Sequence, residues 1–319
     1  MNTDIDNSPY RVSRITCHRH GLASKVLAVF AYNEAKTICA ALKSILLAAP
    51  GEEVSVFVLA NGCSDNTTEL VRSGAGFIPD LTLVEFDLAD KANAWNQFVH
   101  DLISDDDAGL VETWFFMDGD VTLGVDAIIR LGDAFEDAPS AVAAGGMPGS
   151  GREMELRRRV MVPTGMLAGN FYALRGEFIR NIRHSNIRMP VGLIGDDFFI
   201  SWLVANVTWP NSSPSRSARC VFIDSAEFFY RSLSPWRLRD YRTYLRRLWR
   251  YALRGIQHQM LILVIMQHGL MAIPKSVDEL YLYGPLPSRI NRNRPLLAPM
   301  HLIAMLKIRA LRDRTMNGK

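Results

Sequence analysis

Apolar runs of strand length recur along the first half of the chain: Lys25 to Phe30, Val54 to Ala60, Thr82 to Phe86, Thr113 to Met117 and Ala141 to Met147. Between them apolar residues follow helical spacing, from Ala35 to Ala49, from about Asp65 and from about Asp90. Strand and helix alternate with short connections. That pattern predicts an α/β fold with a mainly parallel sheet covered on both faces and ligands at the carboxyl ends of its strands. Farther along, Gly169 to Leu174 and Ala218 to Asp224 read as strands, and the Gly/Pro/Arg-rich stretch from Pro148 to Arg159 as a mobile loop beside the site. The expected organisation is a polar leader over residues 1–24, an α/β domain over 25–230 and a helical, basic and aromatic region over 231–319.

Polar residues gather where the apolar runs end. Ala31-Tyr32-Asn33-Glu34-Ala35 follows the first run, Asn61 to Thr67 the second, Asp90 to Asn96 the third and Asp118-Gly119-Asp120 the fourth, while Gly195-Asp196-Asp197 opens a later helix. The fourth cluster is the most informative. Residues two apart in a strand project to the same side, so the carboxylates of Asp118 and Asp120 are expected to meet at the strand's end. Two anions so close repel unless a cation lies between them, and a hard divalent ion with oxygen ligands suits the pair. A plain surface turn fits the same letters.

Composition sets bounds. With 319 residues, 48% hydrophobic and 22% charged, the chain can bury a large core. Its four cysteines, Cys17, Cys39, Cys63 and Cys220, have neither metal-ligand nor paired spacing, and no apolar stretch of a secretory signal precedes a cleavage site near the start. Both features point to the cytoplasm. The net charge of +3 says little, but eight arginines fall between Arg231 and Arg254 against the single acid Asp240.

Taken in order, the clusters resemble the family 2 glycosyltransferases of the GT-A fold, over roughly Lys25 to Gly255. The resemblance implies a Rossmann-like nucleotide-binding half with a helical C-terminal extension. It also implies transfer of one sugar from a nucleoside-diphosphate sugar to an acceptor hydroxyl by a metal-assisted inverting displacement, in cell-surface glycan or glycolipid synthesis. Ala31, Tyr32, Asn33 and Glu34, and Asn61 through Asp65, are similar to the loops that hold the base and ribose. Here Ala60-Asn61 precedes Gly62-Cys63 where the family usually has an Asp-Asp pair before Gly-Ser; an Asn oxygen still accepts from a base N–H. Lys91, with Asn96 five residues on, is similar to a Lys-Ala-x-x-x-Asn signature and offers a positive donor to the base or diphosphate; a solvated lysine at a helix start is the plainer alternative.

Asp118-Gly119-Asp120 resembles the DxD element, which implies Mn²⁺ or Mg²⁺ held by Asp120 and Asp118 with the donor's phosphates. Gly169-Asn170-Phe171 resembles the acceptor-side strand. Gly195-Asp196-Asp197 is similar to the family's acidic pair, implying Asp197 as general base and Asp196 as the residue holding geometry; a helix N-cap is the structural alternative. Arg247-Leu248-Trp249-Arg250-Tyr251 resembles a variant of the QxxRW element, with Arg for Gln and Tyr for Trp. The strict form accompanies processive synthases, so its loss favours addition of one sugar, with Arg250 toward the diphosphate and Tyr251 toward sugar or acceptor. A solvated amphipathic helix gives the same letters.

Three rivals share parts of the pattern. Asp118 to Thr122 also resembles the first motif of haloacid-dehalogenase-like phosphatases, but no Lys occurs from Val121 to Gly195 to steady a phospho-aspartate. A nucleotidyltransferase on a sugar phosphate shares the nucleotide-and-metal logic yet wants a Gly-rich basic loop after Phe30, and a catalytically dead binding module sits poorly with intact Asp118, Asp120 and Asp197. In the tail, the apolar centre Met260 to Met266 is too short to span a bilayer; it suits either an anionic membrane surface carrying a lipid-linked acceptor, or a helical subdomain packed on the sheet. No nucleic-acid-binding motif accompanies the basic residues.

Overall fold

The run from Val26 to Ala31 carries no polar side chain, and every one of its residues is buried. A strand buried on both faces belongs in the middle of a sheet. The computed structural model describes residues 9–17, 21–149, 154–209, 219–231, 238–287 and 298–316, with only the backbone described over 238–245. Its strands are β1 (Tyr10–Cys17), β2 (Lys25–Ala31), β3 (Ser55–Asn61), β4 (Asp80–Phe86), β5 (Thr113–Asp118), β6 (Val121–Leu123), β7 (Ala143–Pro148), β8 (Phe171–Arg175) and β9 (Cys220–Tyr230). The helices before β8 are α1 (Ile38–Ala48), α2 (Thr67–Gly74), α3 (Lys91–Asn96), α4 (Asp105–Leu110), α5 (Ala127–Asp137) and α6 (Met154–Thr164). After it come α7 (Gly176–His184), α8 (Asp196–Asn206), α9 (Leu238–His268), α10 (Val277–Tyr283) and α11 (Ala298–Met316).

The strands form one sheet in the order β1-β4-β3-β2-β5-β8-β7-β9-β6. The strands β4, β3, β2 and β5 are parallel, as the alternation predicts. β8 runs antiparallel to both β5 and β7, and β1 and β6 are antiparallel to β4 and β9. β7 and β9 pair in parallel, so the half whose strand ends carry the first polar clusters is parallel from β4 to β5 and the other half is mixed. Apolar runs report burial and leave strand direction open, which is why the mixed half was not foreseen.

Several expected boundaries move. Part of the expected leader is β1, whose Tyr10 ring packs edge-on against Phe86 at 5.5 Å; as an edge strand with much of its surface exposed, it lacks the apolar run that marks a central strand. Residues 1–8 and 18–20 of that leader, 150–153 of the expected loop, Ala218 of the late strand and 232–237 of the basic stretch lie outside the described residues. From Met154 the expected loop is helix α6.

Alternate residues of β2 divide the core. Val26, Ala28 and Phe30 face the layer that includes α3, α7, α8 and α9, while Leu27, Val29 and Ala31 face α1, α2 and α5. In the first layer Phe116 stacks on Tyr172 at 4.9 Å and on Trp95 at 6.0 Å, a rigid aromatic bed directly behind the end of β5. Within the apolar centre of α9, Met260, Leu261, Val264 and Ile265 are buried in this same layer, so the segment packs on the sheet as core. Among the described residues no helix is long and apolar enough to cross a membrane.

Candidate active site

The ends of β2, β3 and β5, the start of α8 and one face of α9 enclose a cavity of about 600 Å³. Two loops build its first wall. Asn33, in the left-handed region at φ 57°, accepts hydrogen bonds through Oδ1 from the backbone N–H of Ser64 (2.8 Å) and Asp65 (3.2 Å). Asp65 in turn accepts from the N–H of Ala35 and Thr67 at 3.1 and 3.0 Å. These residues lash the loops after β2 and β3 together, leaving Tyr32, Glu34 and Asn61 to line the cavity. Asn61 is buried, and the hydrogen-bond network assigns its Nδ2 as donor to the Ala31 and Leu59 carbonyls at 2.7 and 3.2 Å. Gly62 follows at φ 65°, where a Cβ would lie 2.7 Å from the Ala89 backbone.

Asp90 caps α3 by accepting from Asn93 N–H (2.7 Å) and also accepts from Gly192 N–H (3.0 Å), joining this helix to the loop before α8. Asn96 exchanges two hydrogen bonds with the Met189 backbone, at 2.8 and 2.9 Å. The geometry between these anchors aims Lys91 at two acids. Its Nζ lies 2.7 Å from Asp118 Oδ1 and 3.0 Å from Asp196 Oδ2, and 4.9 Å above the Phe30 ring. Burial works against the ammonium's charge, but Asp118 and Asp196 overcome it and hold Lys91 well above the usual lysine range. Burial pushes the Asp118 carboxyl up to about 6, with Lys91 opposing the rise and the charges of Asp196 and Asp120 adding to it.

The strand ends at Asp118, and Gly119 and Asp120 turn away, so the two carboxylates do not continue the alternation that sequence suggests. Asp120 is exposed at the cavity, and its charge also helps raise Glu34, whose shift comes first from burial. Among the described residues no three His, Cys, Asp or Glu side chains are grouped to hold an ion unaided. An anion-rich corner of Asp118, Asp120 and Glu34 does fit a divalent ion that brings phosphate ligands with it, since Mg²⁺ and its kind are usually held by one or two carboxylates plus substrate phosphates.

Facing this corner, α8 begins at Gly195 (φ 96°), a turn in which any Cβ would meet Arg254 at 2.5 Å. One face of α9 holds the turn by successive contacts. Arg254 Nη2 donates to Asp197 Oδ1 at 2.8 Å, the Ile194 N–H donates to Gln257 Oε1 at 2.8 Å, and His258 Nε2 meets the Ile194 carbonyl at 2.9 Å. Gln257 Nε2 continues to the Tyr281 hydroxyl at 2.7 Å, and the His258 ring stacks on Phe198 at 3.7 Å. Burial, with the neighbouring Arg254 charge, drops His258 to about 3, so its ring is neutral and donates from Nε2.

Of the residues expected from sequence, Tyr32, Glu34, Asn61, Lys91, Asp118, Asp120, Asn170, Asp196, Asp197, Arg250 and Tyr251 all line the cavity. Three do not. Ala31 is wholly buried, and Asn33 and Asp65 are committed to joining the loops. Phe171 also fails to reach it: the residue is fully buried, because strand alternation turns it to the opposite face from Tyr172. Sequence reasoning missed Arg157, Arg254, Gln257 and His258. The signal for Arg254 was present, since positions 247, 250, 251 and 254 share one helix face.

Comparison with solved structures places this fold among glycosyltransferases. The mannosyltransferase PcManGT from Pyrobaculum calidifontis, in complex with GDP-Man and Mn²⁺, matches at TM-score 0.56 and 18% identity, over 95% of this chain and 79% of that one. S. aureus TarS in complex with UDP-GlcNAc matches at 0.48 and 13%, over 92% of each chain. Glucosyl-3-phosphoglycerate synthase from Mycobacterium tuberculosis, with Mn²⁺, UDP and phosphoglyceric acid, matches at 0.44 and 16%, over 75% of this chain and 86% of that one. No curated protein matches the sequence. The family profile described as "Glycosyl transferase family 2" covers residues 27–192, more than half of the chain and the whole first wall of the cavity, and by that match the protein belongs to this family.

Proposed function

We propose that the protein transfers one sugar from a nucleoside-diphosphate sugar to an acceptor hydroxyl, with inversion, in cell-surface glycan or glycolipid synthesis on the cytoplasmic side of a membrane. The observation that carries this reading is the cavity itself, which sets the Asp118–Asp120 corner across from Asp197 at the start of α8. A divalent ion, Mn²⁺ or Mg²⁺, supplies charge stabilisation to the departing diphosphate. Asp120 and Asp118 would hold it, with Arg250 toward the phosphates and Tyr32, Glu34 and Asn61 toward the nucleoside. Asn170 and Tyr251 flank the acceptor.

Asp197 then acts as general base. Its Oδ1 is occupied by Arg254 and by the Phe198 N–H at 2.9 Å, which orients the second oxygen, Oδ2, to take the acceptor's proton. The acceptor oxygen bonds to the anomeric carbon as the bond to the diphosphate breaks, and the diphosphate leaves with the electron pair. Lys91, shared by Asp118 and Asp196, keeps both acids of the opposing walls in place. Membership of the family removes the phosphatase and nucleotidyltransferase alternatives. Calorimetry with UDP and GDP, with Mn²⁺ or EDTA, tests the reading: Asp120→Asn should lose metal-dependent binding and transfer while keeping its melting temperature. Binding indifferent to both EDTA and Asp120→Asn would contradict it. Asp197→Asn should slow turnover about a hundred- to ten-thousand-fold with nucleotide affinity near normal, and the product anomer should be opposite to the donor's.

A further inference from the structure

Several arginines elsewhere on the protein have carboxylate partners. Arg158 pairs with Asp224 and Glu227, Arg188 with Asp101 and Arg130 with Asp126. The cavity is different. There Lys91 is shared by Asp118 and Asp196, and Arg254 is paired with Asp197, but Arg157, Arg247 and Arg250 line the wall with no carboxylate partner among the described residues. These three guanidiniums are more positive charge than a nucleoside diphosphate calls for once a divalent ion on Asp120 has offset it.

Their positions separate two tasks. Arg157 rests over the Tyr230 ring at 5.1 Å, and Tyr230 pairs with Val121, the residue after Asp120, so this guanidinium stands on the metal side. On α9, Arg254 is pinned at the base, which fixes that helix face against the acceptor position. Arg247 lies seven residues before Arg254, about 10 Å of helix rise away, with Arg250 between them on the same face.

Resting on the glycosyltransferase reading, we propose that the acceptor carries a phosphate group, which Arg247 binds while the acceptor's hydroxyl sits at Asp197. The group lies within about 10 Å of the reacting hydroxyl, the distance along α9 from Arg254 to Arg247. A phosphate is preferred to a carboxylate because it presents several oxygens, any two of which the planar fork of Arg247 can match as a pair. Arg157 and Arg250 are left to the donor's diphosphate.

Calorimetry on the protein preloaded with UDP or GDP and Mn²⁺ tests this, because the nucleotide fills the diphosphate position first. Two matched pairs of probes serve: glycerol 1-phosphate against glycerol for a soluble acceptor, and dihexanoyl phosphatidylglycerol against dihexanoylglycerol for a lipid-borne one. The loaded protein should bind a phosphorylated probe and not its neutral counterpart, and whichever pair shows the contrast identifies the source. Arg247→Gln, at an exposed position where the fold should be unaffected, should weaken that probe roughly tenfold or more while nucleotide affinity holds. The inference is overturned if neither phosphorylated probe outbinds its neutral partner, or if Arg247→Gln weakens the nucleotide and spares the probe. Absence of any metal-dependent nucleotide binding would instead sink the donor-site reading, and the inference with it.

Discussion

Lys91 shows how a single side chain can join two walls of a site. Its ammonium separates Asp118 from Asp196, so Lys91→Met should leave two acids facing each other without a cation, at a cost of about 3 kcal/mol typical of breaking a buried pair. Urea denaturation should record that loss, and adding Asp196→Asn should recover part of it, a coupling that separates repulsion from lost packing. Equal stability of Lys91→Met and the parent protein would show that the tie contributes nothing. The residue's charge was readable from the sequence, but its partners were not, because Asp196 arrives from a helix far along the chain. The same limit applies to Asn33 and Asp65. Their letters fit a nucleotide-binding loop, yet hydrogen bonds to Ser64, Ala35 and Thr67 spend both on joining loops. Motif letters show that a loop is special; which member faces the cavity depends on backbone geometry at single positions such as the left-handed Asn33.

Elements meet at this site chiefly through α9. The alternation of apolar runs made β2, β3, β4 and β5 legible, because strands buried on both faces are built mainly from apolar residues. It was silent about β1 and about the grip of α9 on the turn at Ile194, which depends on one polar face of a helix reaching a distant backbone. That grip predicts two outcomes. Gln257→Leu strands the Ile194 N–H and removes a partner of the Tyr281 hydroxyl, costing about 1–3 kcal/mol. Turnover should fall more than nucleotide affinity, since the turn carries Asp197. The second outcome concerns pH. His258 is neutral in the folded protein with its pKa near 3, below the unfolded value, so its contribution is present above the unfolded pKa and lost as pH falls through the folded one. Stability should therefore decline between about pH 6.5 and pH 3, and His258→Gln should flatten that limb. Parallel curves for the two proteins would remove His258 as a source of acid sensitivity.

At the scale of the whole molecule, the packing of α9 changes where a membrane surface would have to lie. Met260 to Met266 reads from sequence as ready to meet lipid as to meet the sheet; Met260, Leu261, Val264 and Ile265 are buried in the core, while Met266 at its end stays exposed. A longer exposed apolar strip lies on another helix. On α11, Leu302, Ile303 and Leu306 are each about half exposed, at 50%, 48% and 54%, while Ala304 and Ile308 turn into the core. Beside them stand Lys307 and Arg309, in a C-terminal region whose sequence is rich in arginine. An exposed apolar strip with cations next to it is the pattern by which a helix rests on an anionic surface, with the apolar residues and the charge each contributing part of the attraction. Cosedimentation should show binding to phosphatidylglycerol vesicles at low salt and its loss at high salt, as the screening length shrinks to a few ångströms near 1 M. Leu302→Asp with Leu306→Asp should release the protein from those vesicles without lowering its melting temperature, because both side chains already face solvent. Equal binding to neutral vesicles, or binding untouched by the paired substitution, would leave α11 as an ordinary packed helix and put the acceptor in solution.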